Sequence, residues 1–120
     1  MGVQHGGAVG DRPLIPRPER TPGALRAACT VLAPGLLAAY DRAKDRALAE
    51  AVEHGSLKPV RAYPSHWAAL IEIERHPATA QAYHRAEHLA RIATTADGAR
   101  THPATAGSLY RDAAKAVHAE

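Results

Sequence analysis

The chain has 120 residues and a mass of 12.7 kDa, one domain's worth of protein, which excludes the large two-domain scaffolds that carry many cofactor enzymes. Hydrophobic residues make up 46%, but 28 of those 55 are Ala, Leu, Ile and Val together supply 20, and Phe is absent, so the core is thin and an Ala-rich helical domain fits best. The net charge of +3 divides into +1 over residues 1–22, +2 over 23–64 and 0 over 65–120, an interleaving that argues against a concentrated phosphate-binding face.

The opening MGVQHGGAVG has no apolar block of the secretory kind, and Gly6 stands where a myristoylation pattern needs Ser or Thr, so neither export nor lipidation is expected. Residues 1–20 hold four Gly and three Pro with little apolar periodicity, and they read as a flexible arm that runs into an extended Pro-rich stretch. The folded domain is expected over 21–119. Thr21-Pro22 is a helix start, with Thr as cap and Pro at the first position, where its missing N–H has no helical partner in any case. That helix carries Ala24, Leu25, Ala28 and Val31.

Pro34 opens a second, longer helix whose apolar stripe is Leu36, Leu37, Tyr40, Ala47, Leu48 and Ala51, and Gly55 stops it. Ser56 caps a short helix with Pro59, Val60 and Tyr63, which Pro64 ends or kinks. From Ser65 the run HWAALIEIERH gathers Trp67, Leu70 and Ile71 and is the most central segment. His76-Pro77 begins a helix that reaches about Ala96, and Asp97-Gly98 ends it. Thr101-His102-Pro103 begins the last helix, striped by Ala106, Leu109, Tyr110, Ala113, Ala116 and Val117. The fold expected is all-α, a small bundle of five or six short helices with a disordered Gly/Pro-rich N-terminal arm. Tyr40, Trp67, Leu70 and Tyr110 are assigned to its core. The pentapeptide HPATA occurs at 76–80 and again at 102–106, which reads as the same helix-start chemistry used twice.

No run approaches the roughly 18 apolar residues of a membrane span, and the lone Cys29 can form neither an intramolecular disulfide nor a Cys-based zinc site, so a reducing cytoplasm is expected. Cys29 on an Ala-rich helix reads as a small buried thiol rather than a nucleophile. The string His84-Arg-Ala-Glu87-His88 sets two imidazoles four residues apart beside a carboxylate, the geometry of a zinc peptidase. A third ligand and a cleft are missing from the sequence, and His84 lies opposite the Leu89 stripe, so this face is expected in water. A structural metal site from His66, His76, His84 and His88, joined by Glu72 or Glu74, is a further reading, whereas His54, His76 and His102 are also natural helix-end residues. Short helices with tight turns raise a helix-turn-helix, with 78–96 as recognition helix and Gln81, Arg85, His88 and Arg91 on its surface.

Arg20-Thr-Pro-Gly-Ala-Leu-Arg-Ala-Ala28, the Tyr40 helix, the turn Leu57-Lys-Pro-Val60 and Trp67 resemble a family of uncharacterised small helical proteins from actinobacteria, over about residues 20–76. Ala68 stands where that family often has a second aromatic, and residues 103–119 lack a clear counterpart. The resemblance implies no catalytic residues. Because some members are encoded beside toxin genes of the ribonuclease type, it implies an antitoxin-like role. The function expected is thus non-enzymatic protein–protein interaction without a cofactor, with Leu14, Ile15, Arg17 and Arg20 of the arm and the exposed Arg85 and Arg91 as partner contacts. A DNA-binding regulator is the alternative and a His-based metal protein the third reading. A core this poor in large side chains also favours a homodimer that hides Ala-rich faces.

Overall fold

A computed structural model describes residues 12–119, and among them the chain is all-helical, with no strand. The helices are α1 (Pro22–Leu32), α2 (Leu37–His54), α3 (Lys58–Glu74), α4 (Pro77–Ile92) and α5 (Ala96–His118), with one turn of 3-10 helix at Pro34–Leu36 before α2. No helix among the described residues is long and apolar enough to cross a membrane. Residues 1–11, the Gly-rich part of the expected arm, lie outside the described residues.

The first two helices begin and end as their residues dictate. The Thr21 hydroxyl accepts from the Ala24 amide at 3.2 Å, and α1 turns Leu25, Ala28 and Cys29 inward at the spacing of one helical face. Gly55 takes the left-handed conformation (φ 64°) that closes α2, and its amide and that of Ser56 both reach the Ala51 carbonyl.

At two prolines the structure departs from the expected breaks. Residues 58–74 form one continuous α3 with Pro64 inside, not a short helix followed by another. A proline within a helix forfeits a hydrogen bond and costs about 3 kcal/mol. The compensation lies in packing: Tyr63 and Trp67, four residues apart, both meet the ring of Tyr40 edge-on, with centroids at 5.2 and 4.9 Å, which requires a helix that passes through Pro64. The second departure is at Asp97-Gly98, which starts a helix instead of ending one. α4 stops at Ile92; the Thr95 hydroxyl then accepts from the Gly98 amide at 3.0 Å, and Asp97 stands in the first turn, where a negative charge suits the helix dipole. Pro103 is consequently internal to α5, and His102 is no helix-end residue. Thr95→Ala is therefore expected to lower stability by about 1 kcal/mol in thermal melts, and Thr101→Ala to leave it nearly unchanged. The reverse order would place the helix start at Thr101.

The segment around Trp67 is central, as expected, because α3 packs against all four other helices. Its inner face joins Leu25, Cys29, Tyr40 and Val117 in the main core, while Ala69 and Ile73 meet Ala113 of α5 in a smaller one. Leu70 and Tyr110 lie at the core margins, half-buried.

Residues 12–20 carry no helix, in keeping with three prolines, but they are packed. The Leu14 amide donates to the Arg75 carbonyl at 2.8 Å, and the Arg75 guanidinium donates to the Ile15 carbonyl at 3.1 Å. Ile15 rests on the main core, and Arg17 to Arg20 continue past Ala68 and Val117. This strap joins the end of α3 to the start of α1. Periodicity does not disclose it, since a strap is held by partners more than fifty positions away in sequence.

Candidate functional site

Two polar constellations flank α3. The first fastens the strap. Glu72 projects from the apolar run of α3 and its side chain is only 8% exposed. Arg17 sets two nitrogens on its oxygens at 2.9 Å each, Arg75 adds bonds of 2.8 and 3.4 Å from one turn below, and His76 Nε2 lies 3.3 Å away. Burial alone would raise the Glu72 pKa, but the hydrogen bonds from Arg17 and Arg75 and their charges overcome it and hold the carboxyl down at about 2. This cluster is a structural clasp, because every strong donor in it already has its acceptor.

The second is a cleft of about 420 Å³ between α3 and α4, also lined by Leu36 and Ala39. Its α3 wall holds His66, Trp67, Leu70 and Glu74; α4 contributes Tyr83, His84 and Glu87. The Glu74 side chain is 12% exposed, and its Oε2 lies 2.6 Å from His84 Nε2, while Glu87 stands 3.8 Å from His84 Nδ1. Burial first, then the charge of Glu87, pushes the Tyr83 hydroxyl up to about 12. Nearby, His66 Nδ1 pairs with the Tyr110 hydroxyl at 2.8 Å, and burial lowers the pKa of this imidazole.

The string His84-Arg-Ala-Glu87-His88 is thus divided by the fold. His84 turns to Glu74 on the neighbouring helix, and His88 is exposed. The four histidines considered as a metal set have separate environments, with His66 at Tyr110, His76 at Glu72 and His84 at Glu74. No group of three or more His, Cys, Asp or Glu among the described residues could hold a metal ion. Cys29 is buried beside the Ala33 carbonyl at 3.5 Å, and burial raises its thiol pKa, the opposite of what an activated nucleophile requires.

The expected partner contacts separate into two groups. Ile15 and Arg17 face inward, one on the core and the other on Glu72. Leu14, Arg20, Arg85 and Arg91 are exposed, and Arg20 Nη1 reaches His118 Nδ1 at 2.9 Å. Arg85 and Arg91 are six positions apart on α4, about 120° around the helix, so they do not form one face for a nucleic-acid groove. Leu48, which the α2 stripe was expected to turn inward, is 49% exposed, and Val52 four residues on is 86% exposed, with Leu57 at 60% just past the turn. The signal for the clasp and the cleft was available in part. Glu72 and Glu74, set in the most apolar run of the chain, had to find buried partners, but which partners they find depends on how the helices pack.

The fold and these features define a small helical bundle with a strapped N-terminus, one acidic cleft and an exposed apolar strip. A family of unknown function (DUF6247) matches residues 13–118, and the chain belongs to that family. The match takes in the strap from Pro13 and the whole of α5, beyond the 20–76 span of the sequence resemblance. No curated protein and no solved structure matches the chain.

Proposed function

We propose that this protein is a non-enzymatic interaction module that binds a partner protein and regulates or neutralises it, in the manner of an antitoxin. The observation that carries this reading is the strip of Leu48, Val52 and Leu57, where three branched apolar side chains stand in water near the end of α2 although the chain has few large apolar residues to spare. Contiguous exposed apolar side chains rimmed by charge characterise protein contact surfaces. Asp45, Glu53 and Lys58, exposed and within five positions of the strip residues along the chain, supply charge of both signs beside it. Leu14, exposed at the start of the strap, and the cations Arg20, Arg85 and Arg91 are peripheral contacts. The sequence resemblance to a family of which some members are encoded beside toxin genes of the ribonuclease type supports a toxin as the partner.

The test is co-purification of the tagged full chain from its native host, identification of the partner, and rebinding of the two purified proteins. Leu48→Asp with Val52→Asp is expected to abolish rebinding while the melting temperature stays close to that of the parent, because both side chains are already solvated. Undiminished rebinding by the double variant overturns the assignment of the strip. Recovery of DNA with a steep salt dependence, in place of a protein, overturns the interaction reading itself.

A further inference from the structure

We infer that the cleft between α3 and α4 receives the cationic head of an arginine or lysine side chain presented by the partner protein. This names the partner's contact chemistry and rests on the interaction reading above only for the source of the side chain.

The cleft's volume, about 420 Å³, is in the range of small-ligand sites. Its interior has two kinds of surface. Leu36, Leu70 and the ring of Tyr83 form an apolar passage suited to an aliphatic stem, and Glu74 and Glu87 lie on its walls with no Lys or Arg among the lining residues. The combination matches a long side chain with an apolar stem and a charged head. A net charge of +3 with interleaved signs makes a locally acidic cleft an exception in this chain.

The electrostatics select among occupants. His84 stands between the two carboxylates, 2.6 Å from Glu74 and 3.8 Å from Glu87, and the Tyr83 hydroxyl also faces Glu87, so two carboxylates meet at most one imidazolium and the cleft is acidic on balance. An anionic ligand is repelled. A metal ion finds no set of three ligands here. A neutral polar ligand leaves the carboxylate charge unused, whereas a guanidinium meets a carboxylate with two parallel hydrogen bonds. The two arms of the string His84 to His88 thus have a use that does not involve a metal: Glu87 receives the cation, and His84 orients Glu74.

Trp67 lines the cleft and is the only tryptophan of the chain, so its emission reports occupancy. The full chain is titrated with N-acetyl-arginine methylamide, N-acetyl-lysine methylamide and the uncharged citrulline analogue. The expected result is a saturable change with the two cations at about millimolar concentration, and binding of the citrulline probe weaker by about fivefold or more. Glu87→Gln, half exposed and safe for folding, and Glu74→Gln are each expected to weaken the arginine probe by about fivefold. Glu19→Gln, exposed and outside the cleft, is expected to leave it unchanged. Equal binding of citrulline, no effect of Glu87→Gln, or no saturable signal with any probe overturns the inference. Spermidine binding far more tightly than either amino-acid probe also overturns it, in favour of a free polyamine. Leu48→Asp with Val52→Asp should not alter these titrations, so failure of the strip and failure of the cleft are read separately.

Discussion

Glu72→Ala is expected to destabilise the fold by about 3–5 kcal/mol, the largest effect of any surface-distant polar substitution in this chain. Removal of the carboxylate leaves the guanidinium of Arg75 buried without its charged acceptor and takes from Arg17 its two bonds to α3, so the strap loses its charged anchor there while the Leu14 and Ile15 backbone bonds and the packing of Ile15 remain. For a domain of this size the melting temperature should fall by at least about 12 °C. If the Ala variant does not fold, Glu72→Gln in the same melts keeps the test open, since the amide retains one acceptor oxygen. A change below about 1 kcal/mol would show that the clasp contributes nothing net.

The same residue sets an acid limit. The Glu72 pKa is held at about 2 in the fold against an ordinary value of 4.5. A depressed carboxyl contributes stability that is complete above the unfolded value and is lost as pH falls from about 4.5 through 2, here about 3 kcal/mol in all. Melts from pH 7 to pH 2 should show this loss in the parent and a shallower one in Glu72→Gln. Asp41, whose pKa Arg26 also lowers, is common to both proteins and cancels in the difference.

Tyr40→Ala is the second large effect, about 3–5 kcal/mol by urea denaturation followed through Trp67 emission. Tyr40 is fully buried, meets the rings of Tyr63 and Trp67, and its hydroxyl donates to the Pro22 carbonyl at 2.6 Å, so it joins α1, α2 and α3 at one point. Tyr40→Phe keeps the ring and forfeits only that bond, about 1 kcal/mol. Tyr63→Phe is expected to cost less. The Tyr63 hydroxyl is buried against that of Tyr40 but makes no well-formed hydrogen bond among the described residues, so its removal should be nearly neutral. Similar losses for Tyr40→Phe and Tyr63→Phe would contradict this division of roles.

The helix ends set by local chemistry were legible in the sequence: the Thr21 cap before Pro22, Pro77 at the first position of α4 and the left-handed Gly55 stop stand where expected. Pro64 and Pro103 were not, because the local cost of a proline is offset by ring contacts or by a better start seven residues upstream, and neither is a local quantity. In the candidate site the pattern of His84, Glu87 and His88 was visible, but its meaning was not, since Glu74 on another helix determines which way His84 turns.

Composition and periodicity by themselves determined that this is a small helical protein with its Trp67 segment at the centre, because Ala-rich amphipathic stripes can be buried in few other ways. Tertiary structure alone decided that the Pro-rich stretch becomes a strap, that Leu48 and Val52 remain outside, and that two glutamates on α3 face opposite tasks. The reason is distance along the chain: a buried charge is satisfied by whatever the fold brings within 3 Å, and Arg17 and Glu72 are 55 positions apart.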